Sequence, residues 1–467
     1  MEEKESTVGQ QLKEKLCYKT SNVYDELDEA GVKRLEDYAA GYRRFLDASK
    51  TEREAVKNAI ALAEEKGFVP YAFGDPVKAG GKYYYNNRGK SLYLFTAGSA
   101  SIAEGIRIAA AHIDSPRIDL KQRPLYEDSG IGFFKTHYYG GIKKYQWTTI
   151  PLALHGVVTK ADGTNVEIVI GEDESDPVFY IDDLLPHLGK DQMSKPLGDA
   201  IPGESLNILL GTRAYPDKKV DERVKLNLLA ILNEKYGITE ADFLSAELTM
   251  VPAVKSRDVG LDRSLIGGYG HDDRCCAYPA LSAVLEADSP VHTVMTVLAD
   301  KEEIGSTGNT GMKSAVLCDL IDAIAASFGE NGARVRAAST CLSADVNAAF
   351  DPNFGEVYER RNSGFLDHGV VLTKYTGARG KSGTNDASAE FVGEVRSLFD
   401  REKVVWQTAE LGKVDQGGGG TVACYIAEYN IEVVDLGVSV ISMHSPFEVI
   451  SKADLYMTYR AFAAFLN

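Results

Sequence analysis

The spacing of apolar residues changes twice along the chain. Up to about residue 70 it is helical, most clearly over 22–48. Thr51 with Glu54 predicts a capping box ahead of the run AVKNAIALAEEKGF. Segments 91–97 (SLYLFTA) and 105–112 (GIRIAAAH) predict strands. The second is almost continuously apolar, as befits a strand buried on both faces.

From 121 to 252 the texture is different, rich in Gly, Tyr, Pro and short β-like runs: FFKTHYY, LALHGVVTK and NVEIVIG. A helix is predicted within DERVKLNLLAILNEKYG, then a strand over SAELTMVPA. After 253 strands and helices alternate again. Helices are predicted over 272–287 and 386–400, and strands over 291–300, 336–346 and 431–443. Ser445 with Glu448 predicts a second capping box, opening a last helix that runs to about Phe465. Such alternation implies an α/β fold whose mostly parallel or mixed sheet is covered on both faces. The expected organisation is a discontinuous α/β domain, 1–120 and 253–467, interrupted by a smaller β-rich domain over 121–252. There is no internal repeat or low-complexity tail.

Composition narrows the function classes. A chain of 467 residues suits two domains, or one large domain carrying an insertion. Apolar content of 44% and charged content of 25% are ordinary for a globular protein. A net charge of −17 argues against a general nucleic-acid binder. The beginning, MEEKESTVGQ, lacks the basic and apolar regions of a signal peptide, and no run is long and apolar enough to span a membrane. Six cysteines without a CxxC pair, two of them adjacent at 275 and 276, read as reduced thiols and a cytoplasmic location.

Four polar clusters follow apolar strands or open helices: AHIDSPR (111–117), YGHDDRCC (269–276), ADKEEIGSTG (299–308) and SADV (343–346). A fifth, SMHSPFE (442–448), follows the last strand. In open α/β sheets ligands bind beyond the carboxyl ends of the strands, so all five can converge on one crevice. Imidazole and carboxylate donors without thiolate favour zinc, manganese or cobalt. A carboxylate can bridge two such ions. Taken singly, each candidate has a plainer explanation. His112 reads as a structural histidine, except that Asp114 two residues on faces the same way and can orient its ring. Asp272 and Asp273 read as acids favoured at a helix start. His271 beside them ranks below Asp272 as a donor. Glu302 and Glu303 read as a solvated charged run, but they directly follow an apolar strand and can divide metal binding and proton transfer between them. Asp345 reads as a turn residue, and His444 as a neighbour of a helix cap.

The blocks HIDSPRIDLK (112–121), GHDDR (270–274), DKEEIGS (300–306), SADV (343–346), DLGVSVISMHS (435–445) and, more loosely, YYGGIKKYQW (138–147) resemble the M18 aminopeptidases, the aspartyl aminopeptidase group of dinuclear metallopeptidases. The likeness runs over nearly the whole chain. It implies an α/β/α catalytic domain interrupted by a β-rich dimerisation domain, and assembly through dimers into a tetrahedral dodecamer. It also implies two divalent ions, zinc foremost. One would be held by His112, Asp272 and Asp345, the other by Asp272, Glu303 and His444. Glu302 would be the general base, Asp114 would orient His112, and the substrates would be peptides. Two departures bear on specificity. Ala348 stands where the family carries a histidine. Gly140-Gly141-Ile142-Lys143-Lys144-Tyr145 replaces a segment whose histidine reaches a neighbouring subunit's site, leaving Lys144 as the candidate substitute. Lys374 aligns with a lysine that recognises an acidic substrate side chain. Its plain reading is a solvated loop lysine. The likeness therefore implies an aminopeptidase with acidic preference. Its rivals are one of broad or neutral specificity and a non-catalytic shell protein with a vestigial site.

Overall fold

The computed structural model describes residues 7–467; the first six residues, on which part of the N-terminal reading falls, lie outside the described residues. Three sheets organise the chain. The main sheet has nine strands, in the order 69–70, 82–87, 91–96, 293–299, 106–112, 340–344, 432–437, 370–373, 406–408. Its centre is parallel: Thr293–Ala299, Ile106–His112, Thr340–Ala344 and Glu432–Gly437 run side by side. Ser91–Thr96 and Val370–Thr373 pair antiparallel on either flank, so the sheet is mixed.

The central strands are apolar on both faces because both faces are covered. One face packs on helices Glu29–Ala48, Glu52–Glu65, His271–Glu286, Ala389–Arg401 and Lys452–Leu466. The other packs on Val316–Ser327, Gly332–Ala338 and Ala423–Ala427. Each fully buried Leu, Ile or Val contributes about 1.5–3 kcal/mol of apolar transfer energy, and this double-sided burial holds in place the strands that carry the site.

The second sheet is antiparallel, with seven strands drawn from residues 117–252 and its own core around Trp147, Phe134 and Phe243. Helix Arg223–Tyr236 packs on it through Leu228, Leu229 and Leu232. A third, five-stranded sheet joins 257–259, 265–268, 448–451, 439–441 and 347–348.

Several elements differ from the pattern-based expectation. The Thr51–Glu54 capping box is present in both directions. The box expected at Ser445 and Glu448 is absent, because Glu448–Ser451 is a strand of the third sheet. The last helix starts at Lys452, and its cap is Ser451, whose hydroxyl accepts from the N–H groups of Ala453 and Asp454. Glu448 is thereby freed to accept from the backbone N–H groups of Asp272 and His444 instead. The strand expected over 336–346 begins only at Thr340, since Gly332–Ala338 is a helix capped by Asn331. The apolar stretch 431–443 is two strands in different sheets, Glu432–Gly437 and Ser439–Ile441.

Candidate metal centre

The register of the main sheet brings the clusters together. Ala299 pairs with His112, so residues 300–303 leave the sheet beside it. Ser343 pairs with Ala110, which sets Asp345 just past the same edge, its N–H bonded to the Leu436 carbonyl at 3.1 Å. Asp272 arrives in a non-helical turn: it and Asp273 depart from helical dihedrals, so the regular helix begins at Arg274 rather than at 272. Gly270 makes that turn possible. Its φ is +79°, and a Cβ there would lie 1.8 Å from Arg274 Nη1. His444 sits in the hairpin joining Ser439–Ile441 to Glu448–Ser451.

Asp272 is the hub. Its Oδ1 is 3.2 Å from His112 Nε2, and its Oδ2 is 3.1 Å from His444 Nε2. Around His112 Nε2 stand Asp345 Oδ1 at 3.7 Å and Glu302 Oε2 at 4.0 Å. Glu303 Oε1 is 3.5 Å from His444 Nε2. Asp272, Glu303 and His444 can hold one ion. His112 can hold another with Asp345 and Asp273, or with Glu302 and Glu303.

The hydrogen bonds fix which imidazole nitrogen faces the carboxylates. His112 Nδ1 meets the Asp114 carbonyl at 3.0 Å, and His444 Nδ1 meets the Gly141 carbonyl at 2.6 Å. A carbonyl only accepts, so each Nδ1 carries a proton, and each Nε2 is the nitrogen turned toward carboxylate oxygens, where its lone pair is offered once that nitrogen is deprotonated. Lone pairs converging in a buried place call for a cation between them. His112 Nε2, Asp272 Oδ1 and Glu303 Oε1 are indeed buried without hydrogen-bond partners. The donor set fits zinc or a similar divalent ion.

The same crowding shifts proton affinities. Burial, then the charge of Asp345, pushes Glu302 up to about 8. Burial and the charge of Asp272 raise Glu303 well above the carboxylate range. Burial works against a charged His444, but its bond to Asp272 and the charge of Glu303 prevail and raise it to about 10. Asp114 is held low: burial opposes its charge, yet the bonds from His112 and Tyr139 outweigh it.

Each candidate thus has a place. His112, Asp272, Glu302, Glu303, Asp345 and His444 lie in one cluster, with Asp114 directly behind His112 at 3.3 Å. His271 turns into the core, where its Nδ1 meets Tyr42 Oη at 2.7 Å. Lys374 is exposed and paired with Asp386, which Lys381 also binds. Lys144 opens the short 3-10 turn Lys144–Trp147. Sequence reasoning missed the supports. Glu448 braces Asp272 and His444, Asp273 Oδ2 accepts from the His112 N–H at 3.3 Å, and Tyr139 Oη donates to Asp114 at 2.9 Å. The signals were indirect: Asp273 adjoins Asp272, Glu448 ends the cluster 442–448, and Tyr139 lies in the block 138–147.

Fold and site define a mixed α/β protein with a His/carboxylate cluster whose donors suit a divalent metal. Comparison with known proteins is more specific. Residues 45–466 match the family model described as aminopeptidase I zinc metalloprotease (M18). A Clostridium acetobutylicum protein, probable M18 family aminopeptidase 1, is 49% identical over 96% of this chain and 98% of its own length. The crystal structure of an M18 aminopeptidase from Thermotoga maritima superposes with a TM-score of 0.92 at 46% identity, covering 96% of this chain and 99% of that one. The S. cerevisiae mApe1 dodecamer shares the fold, with a TM-score of 0.76 at 21% identity over 92% of this chain and 97% of that one. This chain belongs to the M18 family of zinc metallo-aminopeptidases.

Proposed function

We propose that the protein removes N-terminal residues from peptides at a dinuclear metal centre. The observation that carries this reading is Asp272, whose two carboxylate oxygens face two different histidines at 3.2 and 3.1 Å. His112, Asp272 and Asp345 would hold one ion, and Asp272, Glu303 and His444 the other, zinc in the first instance. Bound there, two divalent ions supply Lewis acidity to a peptide carbonyl and to water. Glu302, beside the cluster and half-buried, takes the proton of the attacking water and passes it to the leaving amine. Asp114 keeps the His112 ring in place. The carboxylates of the cluster also offer an anchor for a free α-ammonium group, which restricts cleavage to the end of a peptide. Glu302→Gln is expected to retain metal while turnover falls about 10²- to 10⁴-fold. Near-wild-type hydrolysis by that variant sinks the assignment.

A preference for acidic N-terminal residues rests on Lys374, and two observations favour a broader or neutral preference. Lys374 is already paired with Asp386, and Ala348 contributes no imidazole. Hydrolysis rates for substrates beginning with Asp, Glu, Leu and Lys separate the two readings.

Residues 121–252 are proposed as an inserted domain used for self-association, first to dimers and then to a dodecamer. Leu184, Leu185, Leu188, Met193 and Leu197 are all at least 47% exposed within it, large apolar side chains that an interface between copies would cover. A cytoplasmic location suits the six free cysteines.

A further inference from the structure

Both histidines of the cluster are braced from one short segment that supplies no metal donor. Tyr139 ends the strand Ile131–Tyr139 of the antiparallel sheet, and its hydroxyl donates to Asp114 Oδ2 at 2.9 Å. The same carboxylate accepts from the backbone N–H of Glu302 at 3.1 Å and of Glu303 at 3.2 Å, and lies 3.3 Å from His112 Nδ1. Asp114 thus ties His112 to the turn bearing Glu302 and Glu303, and Tyr139 fixes Asp114. Two residues on, the Gly141 carbonyl accepts from His444 Nδ1 at 2.6 Å. Gly140 between them has φ +74°, and a Cβ there would stand 3.2 Å from Glu303 Oε2 and 3.3 Å from Pro116 Cβ. A side chain at that position would crowd Glu303 and Pro116 and strain a left-handed backbone that glycine adopts freely.

The segment is itself anchored. The Arg117 guanidinium lies 4.0 Å from the Tyr139 ring centroid and pairs with Glu52 at 3.0 Å and Asp119 at 2.9 Å. A group that orients a metal-binding histidine through its other nitrogen changes metal affinity about 10- to 100-fold when removed.

We propose that Tyr139–Gly141 is a positioning segment of the metal centre, by which the antiparallel sheet sets the orientation of His112 through Asp114 and of His444 directly. The inference rests on the dinuclear reading of the site. Tyr139 is a positioning residue that acts through Asp114.

The test is a titration of the metal-free protein with Co²⁺, followed by calorimetry and by visible absorption, in wild type and in Tyr139→Phe. The phenylalanine keeps the ring on Arg117 and removes only the hydroxyl. Wild type is expected to take up two ions per chain. The variant is expected to bind at least one of them about 10- to 100-fold more weakly, with an altered cobalt ligand-field spectrum. Affinities within about twofold of wild type and an unchanged spectrum overturn the proposal. A lowered thermal midpoint alone, with binding and spectrum intact, overturns it too, since that marks a merely structural role. Gly140→Ala is the second probe, and the same two readouts are expected to change; wild-type binding there also counts against the segment. If wild type itself fails to bind two ions, the dinuclear reading fails and this inference falls with it.

Discussion

At the scale of single residues, the site is made by convergence. A His after a strand, or two acids at a helix start, has an ordinary structural explanation. Convergence from the ends of elements in two sheets makes the set exceptional, and the placement of the clusters beside apolar runs was legible in the sequence. Distances were not. Nothing in the spacing tells that Asp272 presents one oxygen to each histidine, or that Glu448 folds back to the backbone of both Asp272 and His444. Such contacts depend on three-dimensional turns around residues 272 and 444. The crowding has a pH consequence. In the metal-free protein Glu302 and Glu448 are each raised to about 8, burial being the main cause. Unfolded glutamates titrate near ~4.3. A raised folded-state value stabilises the fold at low pH, and that contribution is lost as pH climbs through the folded value. His444, raised to about 10, acts in the same direction. The thermal midpoint of metal-free protein is therefore expected to fall between pH 5.5 and 8.5. The gain from added zinc is expected to grow over the same range, as protons leave the donors. A metal-free midpoint that rises across this window contradicts the electrostatics.

At the scale of elements, pattern reading worked where one environment governs a whole element. The almost continuously apolar strand Ile106–His112 and the amphipathic helix Glu29–Ala48 were both visible in the spacing. It failed where an apolar run changes partner midway. Residues 431–443 form one mostly apolar run yet divide between two sheets at Val438, since apolar texture does not say which sheet a strand joins. Ser445 and Glu448 match the capping-box pattern in letters, but strand pairing with Leu265–Gly268 prevailed. The corrected assignment is testable. Ser451→Ala removes the true cap, and is expected to cost about 1–2 kcal/mol in denaturant unfolding. Ser445→Ala should leave the last helix unaffected by comparison. Equal losses, or a larger loss at Ser445, would reinstate the capping box.

At the scale of the whole molecule, three sheets meet at one polar centre. The main sheet contributes His112 and the turns carrying Glu302, Glu303 and Asp345; the third sheet contributes the His444 hairpin; the antiparallel sheet contributes Tyr139 and Gly141. The antiparallel sheet of residues 117–252 was legible as a change of texture, expected from 121, and the resemblance to M18 aminopeptidases extended over the same blocks that the fold assembles. The exposed leucines of 184–197 place a prediction at this scale. Light scattering on eluting protein is expected to give a multiple of the chain mass, and Leu188→Asp to lower it. A monomeric wild type would remove self-association from the account. The most direct test of the central claim is metal content. After saturation with zinc and removal of free ion, wild type should hold two ions per chain by mass spectrometry, and Asp272→Asn, having lost the shared carboxylate, fewer than one. One ion per chain in wild type, or two retained by Asp272→Asn, would contradict the dinuclear centre.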